Sequence, residues 1–271
     1  MSAAVAAFAY HDVTDDPASS GFQRPGAGPF KLTCRMFAQQ LATFAAGPYP
    51  PELIDEIDLA LPRPHVVLTF DDGGTSALHV GDELARRGWK GHFFIITSRV
   101  GQRGFLAAAD IRNLRQCGHL IGSHSHTHPS LFRELPDDRM REEWRESGDR
   151  LAHLLGEPCV AASVPGGDFS DRVLRSAAAA GVRYLFTSEP TLTPQRVHGC
   201  WTLGRFVPKT ATSVQRIGEL AQHRGWGRAM LLRRLKLGAR RLLPGMYRRY
   251  VRHQATPWSE PPAPADLART P

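Results

Sequence analysis

Two aspartates stand side by side at Asp71-Asp72, directly behind the apolar run Val66-Val67-Leu68-Thr69-Phe70. Ionised carboxylates at the end of a buried strand cost several kcal/mol unless something compensates them, and a divalent cation does so. Neighbouring residues on an extended chain point opposite ways. The two acids are therefore expected to do different work, one binding a cation and the other facing a reacting atom. His124 and His128, four residues apart, would share one side of a helical turn and reach the same cation. Among twelve histidines such a pair alone means little; beside two strand-end carboxylates it is informative. Two imidazoles and one carboxylate leave room for water, the pattern of catalytic rather than structural zinc. Such a cation polarises a carbonyl and lowers the pKa of water toward about 7. The second aspartate could then take the proton as general base.

These side chains need a scaffold. Apolar or β-branched runs at 5–10, 65–70, 92–96, 120–122, 159–163, 183–187 and 201–206 read as seven strands. Helical patterns lie between them at 77–87, 107–116, 138–155 and 171–180, the last between an N-cap at Ser170 and a C-cap at Gly181. Strands alternating with helices imply parallel βα units, and seven of them suggest an α/β barrel. In that architecture chemistry gathers at the C-terminal strand edge. The residues that follow the strands fit this: His11-Asp12, Asp71 to Gly74, Ser123 to His128, Pro165 to Asp168, and Arg205 near the end of the last strand.

Thr69-Phe70-Asp71-Asp72-Gly73, followed by His124-Ser125-His126-Thr127-His128-Pro129, resembles the first two motifs of the polysaccharide deacetylases with NodB homology (carbohydrate esterase family 4). Phe93-Phe94 and the Pro165-x-Gly167 turn are also similar to the family, and the resemblance runs from about residue 5 to about residue 207. It implies a distorted (β/α)7 barrel and hydrolysis of an N-acyl amide, usually N-acetyl, on an amino sugar. By motif, Asp71 would be the base, and Asp72, His124 and His128 would bind one divalent metal ion, zinc being the expected one. Ser125 would brace the loop. Gly166 could offer a backbone N–H to the tetrahedral oxyanion, where one donor is worth about 3 kcal/mol.

Two departures stand out. The third motif usually reads Arg-x-Pro-x-Gly, but here it is Ser163-Val164-Pro165-Gly166-Gly167, without the arginine that orients the base. Arg205 is the candidate replacement. The usual Leu-x-x-His, whose histidine protonates the leaving amine, is not evident either. Tyr10-His11-Asp12-Val13 resembles the N-terminal motif of a permuted subgroup that places this histidine at the start of the chain and often lacks the same arginine. That resemblance makes His11 the expected general acid. A second reading stays open: a carbohydrate-binding pseudoenzyme that keeps the metal without turnover.

Composition narrows the setting. The 271 residues are 42% hydrophobic and 22% charged, ordinary for a globular chain and unlike a disordered, collagenous or coiled-coil one. The run from Ala3 to Tyr10 is far too short to span a bilayer and lacks a signal peptide's basic flank, so a cytoplasmic protein is expected. Cys34, Cys117, Cys159 and Cys200 form no CxxC and are expected to be buried free thiols. The net charge of +8 is uneven: residues 224–253 carry ten Arg or Lys and no acid, which leaves −2 for the rest. This argues against nucleic-acid binding by the folded body. Within that stretch, Leu231, Leu232, Leu235, Ala239 and Leu242 recur at helical spacing, opposite arginines, over an expected helix at 230–243. A helix of this kind suits an anionic membrane surface, where a lipid-linked sugar could be met; equally, it could pack on the barrel with its arginines solvated. The expected organisation is a barrel at 1–210, a basic helical appendage at 211–253 and a Pro/Ala-rich disordered tail at 254–271.

Overall fold

The computed structural model describes residues 3–167, 169–242 and 245, with the backbone alone for 236–242. Parallel strands β1 (Ala4–Tyr10), β2 (Pro64–Phe70), β3 (His92–Ile95), β4 (Leu120–Ser123), β5 (Ala161–Ser163) and β6 (Tyr184–Phe186) pair in chain order. Helices α1 (Cys34–Ala45), α2 (Ala77–Ala85), α3 (Ala108–Gln116), α4 (Asp137–Leu155) and α5 (Asp171–Ala179) are the crossovers. β7 (Gln195–Val197) is an antiparallel flap on β8 (Cys200–Leu203).

β8 pairs with β6, while β9 (Arg205–Phe206) pairs with β1, and only Gly204 separates β8 from β9. The expected single strand at 201–206 is thus two short ladders, one on each edge of the sheet, and together they close a seven-stranded barrel. The break has a steric cause. A Cβ on Gly204 would lie 2.2 Å from the Glu189 carbonyl oxygen and 2.3 Å from Thr191 Oγ1, because the chain after β6 presses into the seam.

Strand residues alternate between two cores. Phe8, Tyr10, Leu68, Phe70 and Phe93 pack outward against α1, α2 and α3, while Val5, Ala7, Val67, Phe94 and Phe186 fill the interior. Helix α1, not anticipated from periodicity, starts at an N-cap where Thr33 Oγ1 accepts the Met36 N–H. Helix α6 (Val214–Ala221) buries Ile217 and Leu220 in the same outer core, and Trp226 packs edge-on to Phe8. The packed body therefore runs past residue 210, where the appendage was expected to begin. Helix α7 spans Trp226–Leu242, starting four residues earlier than expected. Residues 246–253 and the expected tail at 254–271 lie outside the described residues. All four cysteines are free; Cys200 is buried as expected, but Cys117 is exposed at the end of α3.

Two interior histidines are structural. His92 Nε2 accepts the Ile54 N–H at 2.9 Å and its Nδ1 donates to Leu68 O at 2.9 Å; His119 Nδ1 accepts the Gly91 N–H at 3.1 Å. Burial pushes both down to about 4. Their folded pKa lies below the unfolded value of about 6.5, so their contribution is full above that pH and is lost as pH falls toward 4. Urea unfolding should therefore show a stability loss on the order of 3 kcal/mol between pH 7 and 5. A midpoint that stays constant over that interval would contradict neutral burial of the pair.

Candidate active site

The polar residues behind the strands converge at one end of the barrel. Asp72 Oδ1 lies 3.4 Å from His124 Nε2 and 3.7 Å from His128 Nε2, and the three ligand atoms all fall within 4.8 Å of one another. The two histidines do not meet through a helical turn. Residues 124–128 form a loop in which Ser125 (φ 63°) and His128 (φ 56°) are left-handed, and Asp72 (φ 76°) is left-handed too. Such backbone costs about 1 kcal/mol or more per non-glycine residue and collects at functional sites. Here it turns both rings onto one carboxylate.

The His124 ring and the loop that carries His128 are held from behind. The His124 Nδ1–H donates to Ser163 O at 3.0 Å, which leaves Nε2 as the cation-facing atom. Ser125 Oγ accepts the His128 N–H at 3.0 Å, and the Ser125 N–H donates to Ser123 Oγ at 3.1 Å. Thr127 donates from its N–H and hydroxyl to the buried Glu143 carboxylate at 2.7 and 2.6 Å, fastening the loop to α4. His126 points away, with Nδ1 2.9 Å from Thr97 Oγ1 and Nε2 3.3 Å from Glu146.

Burial pushes Asp72 upward, but His124, His11 and His128 outweigh it and hold the acid well below the carboxylate range. Burial, then the neighbouring His124, pushes His128 down to about 3, so its ring is neutral. A neutral imidazole and an ionised carboxylate are the forms that bind a cation. Two convergent nitrogens and one oxygen, buried and braced, fit a divalent ion such as zinc.

Asp71 faces the other way. Arg205 Nη1 donates to its Oδ1 at 2.7 Å and Nη2 to its Oδ2 at 2.9 Å. The same guanidinium donates to Thr69 Oγ1 (2.8 Å), Ser163 Oγ (2.7 Å) and Thr187 O (3.0 Å). All five donors of a fully buried arginine are thereby used. Phe94 and Phe186 flank it, each ring centroid 5.8 Å away. Ser163, standing where the family's third motif has its arginine, also donates to Asp71 Oδ2 at 3.1 Å. Burial raises Asp71, and the charges of Arg205 and His124 outweigh it, keeping the acid ionised.

His11 follows β1 on the same edge, within electrostatic reach of both Asp71 and Asp72, and its ring lies 4.8 Å from that of Phe30. Pro165 is buried; Gly166 is exposed at the rim in a left-handed conformation (φ 60°, ψ 5°). Asp12 has a role that the sequence did not suggest. Buried beside the site, its Oδ1 accepts the hydroxyls of Ser20 at 2.5 Å and Ser76 at 2.9 Å. A Cβ on Gly74 would come within 2.2 Å of that oxygen, so the glycine lets the Asp71–Gly74 loop close on the segment after β1. That segment, residues 14–31, also brings Phe22 to within 5.4 Å of the His128 ring.

Fold and site together define a parallel (β/α)7 barrel with an Asp-His-His cluster beside an arginine-held aspartate. Residues 58–185 match the family model described as polysaccharide deacetylase. Over 83 residues, 30% of this chain, it is 35% identical to the peptidoglycan-N-acetylglucosamine deacetylase PgdA of Listeria monocytogenes, and it spans only 17% of that relative's length. Among solved structures, the Streptococcus pyogenes deacetylase PplD in complex with acetate superposes with a TM-score of 0.68 at 20% identity, covering 82% of this chain and 99% of that one. IcaB from Ammonifex degensii gives 0.68 at 20% identity, covering 81% and 97%.

Proposed function

We propose that this chain is a metal-dependent hydrolase that removes the N-acetyl group from an amino sugar of a polysaccharide, oligosaccharide or lipid-linked glycan. The observation that carries the reading is the two-sided aspartate pair: Asp72 with His124 and His128 on one side, Asp71 locked by Arg205 on the other. Zinc, held by Asp72, His124 and His128, would supply Lewis acidity toward the amide carbonyl and toward water. Asp71, ionised and fixed in direction, accepts the proton of the attacking water. The Gly166 N–H, exposed at the rim, would stabilise the oxyanion. His11, on the same edge, donates the proton that lets the amine leave. Arg205 supplies the cation whose absence from the third motif favoured a pseudoenzyme.

Purified chain given one equivalent of zinc should release acetate from acetylated saccharides and lose that activity to a chelator. Silence with every divalent metal, on polymeric, oligomeric and lipid-linked substrates alike, would leave a binding protein instead.

The basic helix supports a membrane-surface role within this reading. Trp226 and Ala229 pack α7 on the body, and Arg233 donates to Gly167 O at 3.0 Å beside the site. On the other side, Leu231, Leu232 and Leu235 are 57%, 52% and 63% exposed. An exposed leucine face within a segment of +10 is complementary to an anionic lipid surface. No helix among the described residues is long and apolar enough to cross a membrane. Vesicles rich in phosphatidylserine should sediment the full chain at 0.1 M salt. Substituting Leu231→Asp and Leu235→Asp together should free it, and equal recovery with neutral vesicles would refute the charge argument.

A further inference from the structure

The segment after β1 brings Phe22 and Arg24 against Arg99, which follows β3, beside the metal-ligand cluster. Arg24 Cζ sits 4.0 Å from the Phe22 centroid and Arg99 Cζ 5.7 Å from the same centroid. The Phe22 ring is itself 5.4 Å from His128. Arg99 donates to Gln102 Oε1 at 2.8 Å, but among the described residues neither guanidinium has a carboxylate partner. Both side chains are half-buried, and their like charges act on each other. Arg24 is also felt by Asp72 and His128, so it belongs to the electrostatics of the cluster.

The charge balance of the edge is informative. Asp71 and Arg205 cancel. A divalent ion outweighs the single charge of Asp72. The buried Asp12 is offset by Lys31, and two further arginines then leave the edge with a net positive charge. Convergent cations at half-buried positions favour an anionic ligand and penalise a neutral one, and guanidinium is the side chain suited to planar oxyanions.

Resting on the deacetylase reading above, we infer that Arg24 and Arg99, backed by Phe22, form an oxyanion subsite, so that the preferred acetylated sugar carries a phosphate or carboxylate on itself or on its neighbour. Uncharged chitin-like chains are then poor substrates. The arginines are specificity residues and take no part in the proton transfers assigned to Asp71 and His11.

The test is calorimetric titration of the full chain, with and without zinc, using N-acetylglucosamine, N-acetylglucosamine 1-phosphate and N-acetylmuramic acid. Acetate release from the same three sugars is followed in parallel. Either charged sugar should bind at least tenfold more tightly than the neutral one, in the metal-free protein as well. Arg24→Gln should reduce that charged-over-neutral ratio at least fivefold, Arg24→Lys should reduce it less, and Arg24→Gln with Arg99→Gln should abolish it. Tighter binding of the phosphate points to a phosphorylated or lipid-linked source; tighter binding of the lactyl acid points to a carboxylate-bearing glycan. Equal affinity for charged and neutral sugars, or a preference that survives in the double variant, overturns the subsite. If acetate is still released in those cases, the deacetylase reading stands. If acetate is released from none of the three sugars, the metal-free binding ratio decides the subsite by itself, and the longer and lipid-linked substrates named above decide the deacetylase reading.

Discussion

Asp71→Asn should release acetate about a thousandfold more slowly than the native chain, within the hundred- to ten-thousandfold range that a positioned general base supplies. The substitution keeps the shape of the side chain and its place beside Ser163 and Arg205, but the amide cannot take a proton. Zinc stoichiometry should stay at one, because Asp72, His124 and His128 are untouched. His124→Ala should lose metal and activity together. The contrast between the two variants separates proton transfer from metal binding. Retention of more than a tenth of the native rate in Asp71→Asn, with zinc bound and the fold intact by circular dichroism, would remove Asp71 from its role as base.

Arg205→Met is the second large effect, and it appears first as instability. The side chain is fully buried, and its removal leaves the Asp71 carboxylate, itself 5% exposed, without a counter-ion. Breaking a buried pair from one side costs about 3–5 kcal/mol, whereas replacing both partners with apolar groups is far cheaper. Thermal unfolding should therefore drop by about 10 °C in Arg205→Met, given about 2–4 °C per kcal/mol for a domain of this size. Asp71→Leu added to Arg205→Met should recover most of that loss and none of the activity. If the double variant is as unstable as the single one, the cost lies in lost packing against Phe94 and Phe186 and not in the uncompensated acid.

The barrel and most of its edge were legible because they follow from local signals. Apolar runs that end in Asp-Asp or Ser-His set the strand ends, and a parallel sheet brings strand ends together whatever the intervening helices contain. Arg205 could be named because it stands near the end of the last expected strand, on the edge where the other polar residues gather, while the third motif lacks its arginine. Strand geometry suggested only that Asp71 and Asp72 do different work; which of them would bind a metal came from the motif resemblance.

What the sequence hid came from segments without periodicity. The helical turn expected for His124 and His128 is a loop, since no pattern reveals that Ser125 and His128 adopt left-handed backbone. Asp12, Ser20, Phe22 and Arg24 lie in or beside a stretch with neither helical nor strand spacing, and their proximity to the site depends on a buried carboxylate and close glycine contacts. Ser163 looked like a loss, a serine in an arginine's place. Only the folded chain shows it as an acceptor for an arginine supplied from 42 residues further on. The break at Gly204 was missed because a neighbouring loop imposes it; helix α1 was missed although it is as amphipathic as α2, α3 and α4.

The seam at Gly204 has a consequence for the order in which the molecule becomes competent. Its two short ladders are the last pieces of the ring to leave the ribosome, and they carry the guanidinium that pairs with Asp71, 134 positions away in sequence. Until that segment emerges, a nascent chain holds a nearly whole sheet around an acid with no counter-ion. Contacts so distant along the chain form late and slowly. Synthesis thus withholds the hydrolytic apparatus until the ring is shut, and a chain cut short before residue 205 would be inert as well as open.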